Sequence, residues 1–305
     1  NIYDVSKRLG GGEELSSSLG IYQRIFSPIM IGLIEAGEAG GILSQVLERL
    51  AALIEAQSKI QSQIKGALIY PVLILVLAIA VSLGLLIGIV PQFESLFSGM
   101  GAKLPALTAF MLTLSRFVTT WTFAIGAPIL SFISFYAFNI SYSSRKGRRF
   151  FDNLILKIPL FGDLILKSEV AQMSDTLSTL INSGIPMVEA LENCIKASNN
   201  EIIKIALRNS ISLVTQGEEL SSTFETAKVI PRLFISMVKI GEETGELSYM
   251  MENISNFYKR EVEEAVTILT KAMEPAIIFV VAAIVGTIVI SLYLPMFGLI
   301  NKMGN

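Results

Sequence analysis

Three stretches of the chain, residues 68–90, 117–140 and 275–300, contain no Asp, Glu, Lys or Arg, and the segments between them place apolar side chains at helical spacing. About 20 mainly apolar residues suffice for a helix to cross a bilayer, so each stretch predicts a transmembrane helix. The first and third are apolar throughout. The second is interrupted by Thr119, Thr120, Ser131 and Ser134, but it carries Trp121, Tyr136 and Phe138 near its ends, where interfacial aromatics belong. Pro128, midway along it, predicts a kink. In the polar part that follows, Val170, Met173, Leu177, Leu180 and Ile181 recur on one face of a helix over residues 169–182. Asn182-Ser183-Gly184 breaks it. Pro186 suits the first turn of a second helix over 187–197, with Val188, Leu191 and Ile195 on one face. Further helices are expected over 201–215, 218–227, 232–243 and 246–271, the last running almost directly into the third span. Period-two alternation is sustained nowhere. The pattern predicts an all-α membrane protein with a bundle of about six helices after the second span.

The polar segments also repeat. Gly37-Glu38-Ala39-Gly40-Gly41-Ile42-Leu43 recurs 204 positions later as Gly241-Glu242-Glu243-Thr244-Gly245-Glu246-Leu247. The same offset pairs Ser44 with Ser248 and Glu48 with Glu252, then Pro71 with Pro275, Pro91 with Pro295 and Phe93 with Phe297. Matches among Val and Ile are expected of any two spans; matched glycines, glutamates and prolines are not. Upstream, Gly12-Glu13-Glu14-Leu15-Ser16-Ser17 recurs as Gly217-Glu218-Glu219-Leu220-Ser221-Ser222 at an offset of 205, so one residue has slipped. The repeat implies two homologous helical-bundle domains, each feeding a span. Only a short segment precedes Gly12, so the first copy lacks counterparts of the helices over 169–197, and half a bundle leaves an apolar face bare. With Asn1 rather than Met at its start, the chain reads as a fragment, and those helices are expected in a longer natural protein. The organisation expected is a first domain over 1–67, a span over 68–90, a short connection over 91–116 and a second span over 117–140. A second domain over 141–274, a third span over 275–300 and a tail over 301–305 complete it.

Composition agrees with the membrane assignment: the 305 residues are 52% hydrophobic with a net charge of −2, and mean hydropathy is +0.60. Nothing in that balance suggests nucleic acid. The absence of histidine and the single Cys194 exclude disulfides, Cys/His zinc sites and imidazole catalysis; Cys194 reads as a small packed residue. Arg145, Lys146, Arg148, Arg149 and Lys157 follow the second span, whereas the connection before it offers only Lys103 and Arg116. By the positive-inside rule both large domains are cytoplasmic, and the connection and tail are exterior. The basic cluster suits lipid headgroups better than nucleic acid.

Candidate chemistry is sparse. In the Gly-Glu turns, glycine permits a left-handed cap and glutamate sits favourably at the next helix N-terminus. Alternatively, Gly37, Glu38, Gly41, Gly241, Glu242, Glu243, Gly245 and Glu246 form an acidic contact for a basic partner. As a cation site the turns are weak, since the first copy offers only Glu38. Glu261, Glu263 and Glu264 with Lys259 and Arg260 read as a solvated helix face, and Ser16-Ser17-Ser18 as a capping element. Gly10-Gly11-Gly12 follows no strand, so no phosphate-binding fingerprint is present and no cofactor is expected. The spans offer no ionisable group for a proton relay, Glu274 standing only at an edge. A permease subunit with a separate ATPase is therefore the lesser alternative, and an intramembrane hydrolase lacks its base. Gly84 with Gly88, and Ala282 with Gly286, have the small-residue spacing of close helix pairs in lipid, which suits a homo-oligomer. Pro71 and Pro275 are placed in the first turns of their spans, where a missing N–H costs little; Pro91 and Pro295 mark the far ends.

Gly-Glu-x-x-Gly-x-Leu, a long helix, then Glu-Pro and an apolar span closing on Leu292-Tyr293-Leu294-Pro295-Met296-Phe297 resembles the bacterial type II secretion F family. Leu180-Ile181-Asn182-Ser183-Gly184-Ile185-Pro186 with Glu189-Ala190-Leu191 resembles its early helix-turn-helix. Pro91-Gln92-Phe93-Glu94-Ser95-Leu96-Phe97 resembles the segment after its first span. In the first copy Gly40 and Ile42 depart from the usual polar residues. The resemblance implies a non-enzymatic, multi-pass scaffold of the bacterial inner membrane, the platform of a type IV pilus or type II secretion machine. Its implied partners are a hexameric cytoplasmic assembly ATPase, pilin or pseudopilin subunits, inner-membrane assembly proteins and the lipid bilayer.

Overall fold

A computed structural model describes residues 2–22, 25–99 and 105–303, and helices with their connecting turns account for the described residues. The first copy of the repeat forms α1 (Ile2–Gly10), α2 (Leu15–Gly20), α3 (Pro28–Ala39) and the 42-residue α4 (Leu43–Gly84). A π-helical turn, Leu85–Ile89, joins α4 to α5 (Val90–Gly99); α6 (Ala106–Thr119) and α7 (Trp121–Ser143) follow. The second copy comprises α8 (Arg145–Lys157), α9 (Phe161–Asn182), α10 (Met187–Ala197) and α11 (Glu201–Val214). It continues with α12 (Leu220–Glu225), α13 (Arg232–Thr244) and the 57-residue α14 (Leu247–Met303). Lys103 of the connection and the last two residues of the tail lie outside the described residues.

The polar parts of both copies of the repeat belong to one compact unit, Asn1–Ile64 with Arg145–Thr267. Its core is continuous in the second copy. Val170, Leu177, Leu180, Leu191, Leu207, Phe224, Phe234, Val238, Met251 and Val262 are fully buried. Burying each such side chain stabilises by about 1.5–3 kcal/mol. Phe224 of α12 meets Phe234 of α13 edge to face at 5.3 Å, which orients the short helix on its neighbour. Helix α11 is held by its first turn: Asn200 accepts from the Ile202 N–H at 2.9 Å, and Asp152 of α8 accepts from the Glu201 N–H at 2.7 Å. Glu169 of α9 takes the Asn199 N–H at 3.0 Å and the Ser198 hydroxyl at 2.6 Å. Burial pushes the Glu169 carboxyl above its ordinary range despite those bonds. Cys194 is buried here as a packed thiol.

The face that a half-bundle leaves bare is partly covered. Helix α3 packs on α2 and also on α10 of the second copy, and its Leu33 and Ile34 are buried. The two copies are tied again where Lys59 of α4 meets Glu263 of α14 at 2.9 Å, with Gln63 donating to the same carboxylate at 3.0 Å. Lys59 and Glu263 are repeat-equivalent positions of opposite charge, so the ion pair joins the two copies at matching places. The charges of α14 are accordingly not a purely solvated face: Lys259 pairs with Asp175 at 2.8 Å and Glu261 with Lys167 at 2.8 Å.

The second unit, Lys65–Ser144 with Ile268–Asn305, contains the apolar helix segments. Among the described residues three helices are long and apolar enough to cross a membrane, within Leu43–Phe93, Ile125–Ser143 and Leu247–Met296. The second differs from the expected start at residue 117, because Thr120 is extended (ψ 136°) and separates α6 from α7. The prolines correct a further expectation. Pro71 and Pro275 are not in first turns; they lie inside α4 and α14, which run unbroken from the polar unit into the apolar one. Hydropathy marks where water would end, not where backbone hydrogen bonding begins.

Pro91 and Pro295 have a consequence that the sequence did not disclose. Pro295 offers no N–H to the Ser291 carbonyl four residues earlier, and the Thr108 hydroxyl of α6 donates to that oxygen at 2.6 Å. In the π turn the Val90 N–H reaches the Leu85 carbonyl, so the residue in register for the Leu86 carbonyl is Pro91, again without an N–H. The Ser115 hydroxyl of α6 fills that place at 2.5 Å. Thr108 and Ser115 stand two turns apart on α6, both buried, beside a cluster of Leu86, Val90, Met111, Leu112 and Ile288. One helix thus satisfies the orphan carbonyl that each repeated proline creates, where water is scarce.

Candidate functional site

Each Gly-Glu turn is a three-part joint. The first glycine permits close packing: a Cβ on Gly37 would stand 3.0 Å from Val46 Cβ, and one on Gly241 would stand 2.8 Å from Leu247 Cα. Helices α3 and α13 can therefore fold tightly onto the starts of α4 and α14. The last glycine makes the turn, with Gly41 at φ 67° and Gly245 at φ 73°, a left-handed cap that a side chain would strain. After Gly41 the Ile42 N–H returns to the Gly37 carbonyl at 2.9 Å.

The glutamate does something other than favour the next helix. Glu38, on the last turn of α3, reaches back to the free N-terminus of α2 and accepts the N–H groups of Leu15 and Ser16 at 2.6 and 3.0 Å. Glu242, on α13, accepts those of Leu220 and Ser221 at 2.6 and 2.9 Å. The hydrogen-bond partners of the two arrangements correspond residue for residue through the repeat, including the one-residue slip. A carboxylate spanning two orphan donors at the positive end of a helix is a side-chain cap supplied from a distance. Burial opposes the charge of Glu38, but hydrogen bonds from Ser16 and Leu15 outweigh it and hold the carboxyl below its ordinary range.

Glu243 and Glu246 have no counterpart in that role. Both are exposed, and neither forms an ion pair among the described residues. The structure thus separates the acidic group: Gly37, Glu38, Gly41, Gly241, Glu242 and Gly245 build the joint, while Glu243 and Glu246 present charge to the outside. The signal for the long-range cap was in the sequence, since Gly-Glu-Glu-Leu-Ser-Ser precedes each turn at a nearly fixed distance. No group of His, Cys, Asp and Glu able to hold a metal ion occurs among the described residues. Among the described residues, Gly84, Gly88 and Gly286 have open space where a Cβ would stand, and Ala282 is exposed.

Residues 2–91 and 173–295 match the family described as "Type II secretion system (T2SS), protein F". The type IV pilus assembly protein PilC of Pseudomonas aeruginosa is 36% identical over 99% of this chain and 80% of its own length. PilC of Thermus thermophilus is 37% identical over 96% of this chain and 72% of its own. The type II secretion system protein F of Vibrio cholerae is 29% identical over 98% of this chain and 73% of its own. The matched segments contain both Gly-Glu joints and Pro91 and Pro295 alike, and the chain belongs to the type II secretion system protein F family.

Proposed function

We propose that this protein is the inner-membrane platform of a machine that assembles a type IV pilus or drives type II secretion. The observation that supports this most strongly is the likeness along nearly the whole chain, in the order repeat, span, span, repeat, span, to proteins named for those two machines. Both repeats face the cytoplasm, since the basic cluster after the second span favours that side. There they meet a hexameric assembly ATPase. Within the bilayer the spans meet pilin or pseudopilin subunits, other inner-membrane assembly proteins and further copies of this chain. The open small-residue positions Gly84, Gly88, Ala282 and Gly286 support the last of these contacts.

The work of such a platform is mechanical. ATP is hydrolysed in the partner, and the unbroken helices α4 and α14 carry displacement from the repeats into the membrane. Glu243 and Glu246 contact a basic surface of the ATPase, and Glu242 fixes the turn that presents them. Affinity isolation of the tagged full chain from membranes tests both points. The ATPase should accompany the wild-type chain and be lost with Glu243→Lys combined with Glu246→Lys. Undiminished ATPase in the variant overturns the acidic contact; its absence from the wild-type isolate overturns the platform reading.

A further inference from the structure

Helix α8, which follows a membrane span directly in the chain, leaves an amphipathic face uncovered. Ser144, extended with ψ 140°, is all that separates α8 from α7, so connectivity alone keeps the first turn of α8 near the end of that span. Its inner face is engaged: buried Asp152 takes the Glu201 N–H, and Arg148 donates to the Asn199 carbonyl at 2.9 Å. The opposite face carries two adjoining stripes. Phe150 and Leu154, one turn apart, are 64% and 48% exposed, and Ile158 and Leu160 just beyond the helix are each 42% exposed. Leu160 is held at φ 68°, a conformation that side chains avoid. Alongside, Lys146, Arg149, Asn153 and Lys157 recur at helical spacing, all exposed. The three cations form no ion pair among the described residues.

Large apolar side chains in water, flanked by unpaired cations on one helix and tethered to a span, describe an interfacial helix. We propose that α8 lies in the headgroup layer of an anionic membrane, with Phe150 and Leu154 at the acyl boundary and Lys146, Arg149 and Lys157 on phospholipid phosphates. An acidic protein surface would satisfy the cations but not the apolar stripe, whereas an anionic bilayer satisfies both and is reached by the chain itself one residue before α8. The proposal rests on α7 crossing the membrane and not on the platform reading.

The test uses the full chain with Cys194→Ala and Leu154→Cys, labelled with an environment-sensitive fluorophore, in nanodiscs of zwitterionic lipid or of lipid containing phosphatidylglycerol. Emission should be blue-shifted and quenched by spin labels placed near the headgroup, more strongly in the anionic discs. Lys146→Glu, Arg149→Glu and Lys157→Glu together should abolish the difference between the two lipids. A label at Glu243→Cys should stay water-like throughout, and unchanged helicity shows that the variant folds. Water-like emission at position 154 in both lipids overturns the proposal, as does quenching indifferent to lipid charge. A response that needs an added soluble protein overturns it in favour of protein docking. If a label at Phe132→Cys in α7 escapes deep spin labels, the span assignment falls and the proposal with it.

Discussion

Replacing Glu242 by alanine removes both acceptors from the first turn of α12. The Glu242 carboxylate receives two backbone N–H groups at 2.6 and 2.9 Å, and Leu220 and Ser221 are each only 2% exposed, so water cannot easily replace it. A hydrogen bond to a charged group contributes about 1.5–3 kcal/mol net, and loss of an ordinary N-cap costs about 0.5–2 kcal/mol. Glu242 is only partly buried and regains solvation when the cap opens, which places the expected loss near 2–3 kcal/mol. If the cost is local, the amides of residues 220–224 should exchange about 30- to 150-fold faster. Hydrogen exchange read by mass spectrometry on the full chain in nanodiscs measures this directly. Glu38→Ala should do the same to residues 15–19 and leave α12 alone. Glu242→Gln, which keeps one acceptor oxygen, should lose about half as much. Glu243→Ala, one residue away on the same turn, should change nothing. Protection in α12 within about threefold of wild type, or an equal loss from Glu243→Ala, refutes the capping role.

Other outcomes follow from the same geometry. Gly245→Ala should destabilise by about 1–2 kcal/mol through its left-handed conformation, and Gly241→Ala by about 1–3 kcal/mol through its collision with Leu247, both read as lowered melting temperature. Thr108→Val and Ser115→Ala should each cost about 0.6–2 kcal/mol by stranding a carbonyl beside a proline, whereas Thr113→Val, on the exposed side of α6, should cost less. The carboxyl of Glu38 lies below its ordinary value of 4.5 when folded. Its contribution is therefore full above about pH 4.5 and lost as pH falls through the folded value, and exchange in α2 corrected for intrinsic rate should show this only when Glu38 is present. Glu169 has the opposite sign: its carboxyl is raised above 4.5, so stability falls as pH rises through the folded value. Glu169→Gln should remove that slope.

Much of the architecture was legible because repeats and spans leave marks that need no tertiary knowledge. Matched glycines and prolines located the duplication, and runs without charge located the apolar segments. The role of Glu38 and Glu242 was harder to read, because the donors they cap lie more than twenty residues back and are reached only after α3 and α13 fold over. A glutamate near a helix start suggested a local dipole effect, and the tertiary approach decided otherwise. Pro71 and Pro275 were misplaced for a related reason: composition changes at the membrane edge, but the helix does not stop there. Nothing in the local pattern marks Thr108 or Ser115, and only the register of α6 against Pro91 and Pro295 gives them a purpose. The two copies share one unit because α3 rests on α10 and Lys59 pairs with Glu263, contacts between copies that no single-copy pattern reveals.

If, as proposed, this chain couples a motor to filament assembly, the machine's output depends on it. Filament or secretion output in a strain lacking the gene measures this directly, with pilin or pseudopilin levels followed in the membrane fraction. Output should disappear while subunits still accumulate in the inner membrane, and the wild-type chain should restore it whereas Glu243→Lys with Glu246→Lys should not. Undiminished output in the deletion strain, or a defect confined to the flux of a solute, would contradict it.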